Sequence, residues 1–119
     1  MVMKHYLLPY LLPLLLLVFS GTEALAQTPA NLLVVHVDEL TPAIRDGLVR
    51  DLKGRSDLKL QYACVPAGIL IFEQPDRTAR LERSQVDPVL HRRIARSRIS
   101  DTTLDIAGAE RLCAQYRQP

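Results

Sequence analysis

The chain of 119 residues holds two cysteines, three histidines and no tryptophan. The motifs that such residues usually build are missing from it. There is no paired CxxC, HxxxH or HxH, no HExxH, no GxSxG and no phosphate-binding glycine loop. Without CxxC there is no dithiol redox centre and no thiolate-rich zinc or copper loop. Without HExxH or GxSxG the zinc-protease helix and the hydrolase nucleophile elbow are gone, and without the glycine loop so is the phosphate cradle. The sequence therefore carries no signature of an enzyme, and it is read as non-catalytic and without a cofactor. Charge of one sign is also lacking: the formal net charge is +2, which excludes a strongly acidic or basic tail but not a local patch.

What is present begins with a leader. Lys4 and His5 give a short basic start, Leu7 to Phe19 is an apolar run broken by Pro9 and Pro13, and Ala24-Leu25-Ala26 has the small-x-small form that signal peptidase cuts after. The apolar run has about 13 residues against the roughly 20 that a bilayer-spanning helix needs. Residues 1–26 are thus expected to be a cleavable signal peptide, with no membrane span after cleavage and a periplasmic or secreted destination. No cysteine near the cut offers a lipid attachment point. The remaining residues, 27–119, suit one small domain, preceded by a flexible linker over 27–31.

A domain of this size buries a modest core and often needs a covalent staple. Cys64 and Cys113 both lie beyond the leader. In an oxidising compartment an even count argues for a disulfide. Closing a loop of about 50 residues stabilises a fold by about 4 kcal/mol in the chain-entropy view. The competing reading, a metal-binding or redox thiol site, finds no support in their spacing.

Leu32 to Val37 is almost continuously apolar and reads as a strand buried on both faces, hence a central one. Thr41-Pro42 is a helix start, with Thr as N-cap and Pro at the first helical position. Ile44, Leu48 and Leu52 then recur every four residues on one stripe, and Gly54 to Asp57 ends the helix. Leu58 to Glu73 reads as a β-hairpin. Leu58, Leu60, Tyr62 and Cys64 alternate onto one face, and Val65-Pro66-Ala67-Gly68 forms the turn. Residues 77–99 look helical, with an interruption at Asp87-Pro88 where a new helix opens. Leu104 and Ile106 alternate with polar neighbours, as in a short edge strand, although the same residues also suit the start of a helix. Ala109 to Tyr116 is helical, with Leu112, Cys113 and Tyr116 on one side. The order β-α-β-β-α-β plus a terminal helix predicts an α+β, ferredoxin-like fold, with an antiparallel four-stranded sheet and both main helices on one face.

Over residues 32–99 the chain resembles the heavy-metal-associated domains, which are small ferredoxin-like modules that carry copper or zinc. In that family the first strand runs into a loop of the form GMxCxxC at the head of the first helix. The matching stretch is Val37-Asp38-Glu39-Leu40-Thr41-Pro42-Ala43-Ile44, with Leu40 where the family has Met and with both cysteines missing. A soft metal needs two close thiolates. The resemblance therefore implies the family's fold without its metal loop.

Three groups of residues compete as sites. Asp38 and Glu39, at the end where the family binds metal, suit a hard cation or a basic partner; equally, they charge the start of a helix. With His36 they make the alternative metal set. His36 and His91 have no partner nucleophile at motif spacing. Arg77, Arg80, Arg83, Arg92, Arg93, Arg96 and Arg98 set seven positive charges against Glu82 and Asp87. Arg92, Arg93 and Arg96 fall within two helical turns and are the partner-binding candidates. Either they face solvent with no further role, or they meet an anionic partner in the cell envelope: an acidic protein, lipid head groups or a polysaccharide. Nucleic acid is excluded as a partner, because the chain is read as exported and the segment has no aromatic residue to stack on bases. The expectation is an exported interaction module with an unknown protein or anionic envelope partner. The alternative is a periplasmic metal-handling protein using His36, Asp38, Glu39 or reduced thiols.

Overall fold

A computed structural model describes residues 28–117. The expected leader lies outside them. The described chain is α+β: strands β1 (Leu32–Val37), β2 (Lys59–Cys64), β3 (Ile69–Glu73) and β4 (Ile99–Asp101), and helices α1 (Pro42–Leu52), α2 (Arg83–Leu90) and α3 (Ile106–Arg117). The strands form one sheet in the order β2-β3-β1-β4, and every neighbouring pair is antiparallel. The apolar run Leu32–Val37 takes the inner position its composition calls for, between β3 and β4.

The two faces of the sheet are covered separately. On face one, Val35 and Val37 of β1 and Leu70 and Phe72 of β3 pack with Leu48 and Leu52 of α1 and with Val86, Val89 and Leu90 of α2. Phe72, Leu48 and Leu90 are fully buried, and each such side chain stabilises the fold by about 1.5–3 kcal/mol. On face two, Val34, Ile69 and Ile71 pack with Ala109 and Cys113 of α3. Helix α1 starts as its sequence dictates: the Ile44 N–H donates to Thr41 Oγ1 at 3.1 Å, and Pro42 fills a first-turn position whose N–H would have no partner in any case. It ends at Leu52, ahead of Gly54, whose φ is +83°.

Five sequence expectations need correction. The hairpin does not keep one parity. Leu60 pairs with Phe72 but Tyr62 pairs with Ile71, so Gln61 is an extra residue on β2. A bulge of this kind turns the following side chains to the opposite face. Leu58 and Leu60 thus join face one, whereas Tyr62 and Cys64 join face two. The second helix does not reopen at Pro88. It begins at Arg83 behind the Glu82–Gln85 capping box and runs through Pro88 to Leu90. Asp87 does not cap; it accepts from Arg83 Nε at 2.8 Å, one turn back.

The fourth strand is Ile99–Asp101, not the stretch around Leu104 and Ile106. Asp105 is the reason: its Oδ1 accepts from the Gly108 N–H at 2.7 Å, capping the first turn of α3 so that Ile106 is already helical. Tyr116 does not share the buried side of α3 with Cys113, because it is 60 % exposed. In the expected linker, Asn31 is buried. It donates from Nδ2 to the Gln74 carbonyl, and its own carbonyl accepts from the Gln74 N–H.

Candidate functional site

At one end of the sheet, β1 leaves for α1 beside the β2–β3 turn. A cleft of about 370 Å³ opens there, lined by His36, Asp38, Glu39 and Leu40 on one side and by Val65 to Gly68 on the other. Backbone chemistry builds it. Gly68 has φ +68°, and a Cβ at this position would collide with the Val37 carbonyl oxygen. The Gly68 carbonyl accepts from the Val37 N–H at 2.7 Å. Glu39 is left-handed too, with φ 58°, which is uncommon for a residue with a side chain. Arg98 holds the loop in this form. It donates from Nε to the Asp38 carbonyl at 3.0 Å and from Nη2 to the Glu39 carbonyl at 2.7 Å, while the Asp38 N–H donates to the Arg98 carbonyl.

The polar side chains of the cleft do not form a relay. His36 Nδ1 lies 3.6 Å from Asp38 Oδ1 and 3.4 Å from Ser100 Oγ. Both neighbours approach the same ring nitrogen, whereas nucleophile activation needs hydroxyl and carboxylate on opposite nitrogens. Among the described residues no three His, Cys, Asp or Glu side chains come together to hold a metal ion. The structure therefore brings His36 and Asp38 near each other without completing a ligand set around them. His91 is the C-cap of α2, in a different part of the fold.

Cys64 and Cys113 are joined in a disulfide, with their Cα atoms 6.0 Å apart and a sequence separation of 49. Both are buried on face two. Neither thiol is available to the cleft.

The seven arginines of residues 77–98 do not share a helix. Arg77 and Arg80 precede α2, Arg92 and Arg93 follow it, and Arg96 and Arg98 lie on a short 3-10 turn. Arg83 ties α2 to β4 by pairing with Asp87 and, at 2.6 Å, with Asp101. Arg93 crosses to α1 and grips Asp51 with two bonds, 2.6 Å from Nε and 2.9 Å from Nη2. Its guanidinium lies on α1 over Gly47, where any Cβ would collide with it. The Arg93 hydrogen bond holds the Asp51 carboxyl below its ordinary range, with further help from the charges of Arg92 and Arg50.

Arg92 and Arg96 are exposed, and among the described residues neither has an ion-pair partner. The charged cluster thus keeps Arg92, uses Arg93 as its clamp and adds Arg50, a residue that segment-by-segment counting overlooks. Gly47 lies off the Ile44-Leu48-Leu52 stripe, and its missing Cβ leaves the room that the Arg93 guanidinium takes. No helix of the described residues is long and apolar enough to cross a membrane. Comparison with protein-family models, with curated proteins and with solved structures finds no match.

Proposed function

We propose that the protein is an exported, non-catalytic interaction module with a ferredoxin-like fold, similar to a heavy-metal-associated domain that lacks the thiolate loop. The observation that carries this reading is the fate of the two thiols: both are spent in a buried disulfide under α3, while the loop from Asp38 to Ile44 that would hold a soft metal has none. The strand order β2-β3-β1-β4 with α1 and α2 on one face supports the fold assignment. The single-nitrogen contact of His36 with Asp38 and Ser100 supports the absence of catalysis. The bridge and the leader together support a periplasmic or secreted location. Contact with a partner runs through the arginine-bearing surface.

The alternative, a metal handler, draws on the proximity of His36 to Asp38 in the cleft. One experiment separates the two readings. The native exported protein is titrated for thiols under denaturing, non-reducing conditions and dialysed against zinc and copper. The interaction reading expects no free thiol and no retained metal. Two reactive thiols with one equivalent of metal retained would overturn it in favour of the alternative.

A further inference from the structure

The cleft at the end of the sheet has a back as well as a front. One of its walls, Val65 to Gly68, follows directly on Cys64, the last residue of β2. The wall is seated closely from the front. The Gly68 carbonyl accepts from the Val37 N–H, and a Cβ on Gly68 would lie 3.3 Å from His36 Nε2. From behind, the wall rests on α3: Cys64 and Ala67 are buried in one cluster with Ala109 and Cys113 of that helix. The disulfide from Cys64 to Cys113 therefore ties α3 to the residue that begins the wall.

Little else holds α3 in place. Among the described residues no ion pair and no side-chain hydrogen bond joins Ile106–Arg117 to the sheet. The side-chain bonds at its start, Thr102 to Leu104 and Asp105 to Gly108, are local. Its fully buried side chains are the small ones of Ala109 and Cys113, which contribute little apolar area. A bridge closing about 50 residues is worth up to about a thousandfold in a folding equilibrium, so the covalent bond is the main hold. It is buried, but Cys113 is followed by the exposed Ala114 to Arg117, and chain ends open more readily than cores.

We propose that Cys64–Cys113 is a redox latch on the cleft. Oxidised, it holds α3 against the β2–β3 turn and fixes the wall beside His36. Reduced by a dithiol, it releases α3, and the wall loosens. A thiolate of the dithiol attacks the Cys113 sulfur when the end of α3 opens, and the Cys64–Cys113 bond breaks with its electron pair on Cys64. The second thiolate of the dithiol then displaces Cys113 from the mixed disulfide. Two electrons pass, the dithiol becomes a disulfide, and its two protons end on the two cysteines. The latch needs neither the arginine surface nor its partner, so it stands apart from the interaction reading above.

The test uses the native exported protein, oxidised and then reduced with dithiothreitol. Amide hydrogen exchange is read residue by residue by NMR, together with the ring signals of His36. The reporter is the Gly68 N–H, which donates to the Val65 carbonyl across the turn. On reduction, exchange at Gly68 and along α3 should rise together by at least about tenfold. The His36 ring signals should shift, the amides of α1 should stay protected, and reoxidation should restore all of them. Ala109→Gly keeps the bridge and weakens only the helix, so Gly68 and α3 should exchange about fivefold faster. That variant carries the test if the reduced chain loses its native circular dichroism. A reduced chain whose α3 stays as protected as before would overturn the latch. Loss of α3 protection with Gly68 and His36 unchanged, in the reduced chain or in Ala109→Gly, would overturn its control of the cleft.

Discussion

The two faces of the sheet are built by different means. Face one is thick: two helices bring leucines and valines onto Val35, Val37, Leu70 and Phe72, and the side chains interlock over many contacts. Face two is thin. Helix α3 turns Gly108, Ala109 and Cys113 toward the strands, with Leu112 and Ile106 only partly covered. Small side chains let a helix lie close but bury little apolar area, and hydrophobic stabilisation scales with area. The disulfide from Cys113 to Cys64 makes up the difference. One side is held by packing, the other by a covalent bond, and the two should fail differently.

Breaking the bridge gives the largest effect on this comparison. With the cysteines 49 positions apart, the Cys64→Ala/Cys113→Ala variant should lose about 4 kcal/mol in urea unfolding. Hydrogen exchange should show protection lost first in α3, with β1, β3 and α1 still protected. If protection fell uniformly instead, α3 would be an integral part of one core and the contrast would be wrong. Leu48→Ala, under face one, should cost about 3 kcal/mol through the cavity it leaves, and this loss should lower protection throughout the sheet.

Gly68→Ala sharpens the picture at the end of the sheet, where the faces meet. A left-handed backbone disfavours any side chain by about 1–2 kcal/mol, and the new Cβ would also press on the Val37 carbonyl. The melting temperature should fall, and tertiary contacts beside His36 should shift in NMR spectra. Thr41→Ala removes only the α1 cap on face one, a loss of about 1 kcal/mol.

The smallest effect concerns acid. The Asp51 carboxyl is held below its ordinary range chiefly by the Arg93 hydrogen bond. A carboxyl depressed in the folded state contributes its full stabilisation above the unfolded value, about 3.9 for Asp. That contribution is lost as pH falls through the folded value. Stability measured from pH 6 downward should therefore drop below about pH 4, and Asp51→Asn should flatten part of that drop. An unchanged profile would mean that the clamp across α1 adds nothing to face one.

Much of face one could be read directly. An apolar run at Leu32–Val37, a Thr-Pro start and a four-residue apolar spacing are local patterns, and local patterns survive tertiary context. The elements that went astray each depended on something distant. A bulge at Gln61 is set by how β2 must meet both β3 and α3, so alternation counted along the chain placed Cys64 on the wrong face. Pro88 stays inside α2 because the Glu82–Gln85 box starts that helix early and Arg83 couples Asp87 to Asp101. Arg92, Arg93 and Arg96 are close neighbours in sequence. The fold separates them, uses Arg83, Arg93 and Arg98 as internal ties, and recruits Arg50 from 42 residues before Arg92. In the cleft, Asp38, Glu39 and His36 were all legible as a set, whereas Arg98 as the holder of their loop was not, because its partners are backbone carbonyls that carry no sequence signature.

By itself, the sequence determined the kinds of element, the position of the central strand and the presence of only two thiols. Those follow from periodicity, capping chemistry and counting. Only the tertiary structure decided that the bridge closes face two rather than the main core, and that Arg93 crosses from the turn after α2 to Asp51 of α1 on the other side. Parity and charge proximity are properties of how strands register and helices dock, and neither is written at any one position of the chain.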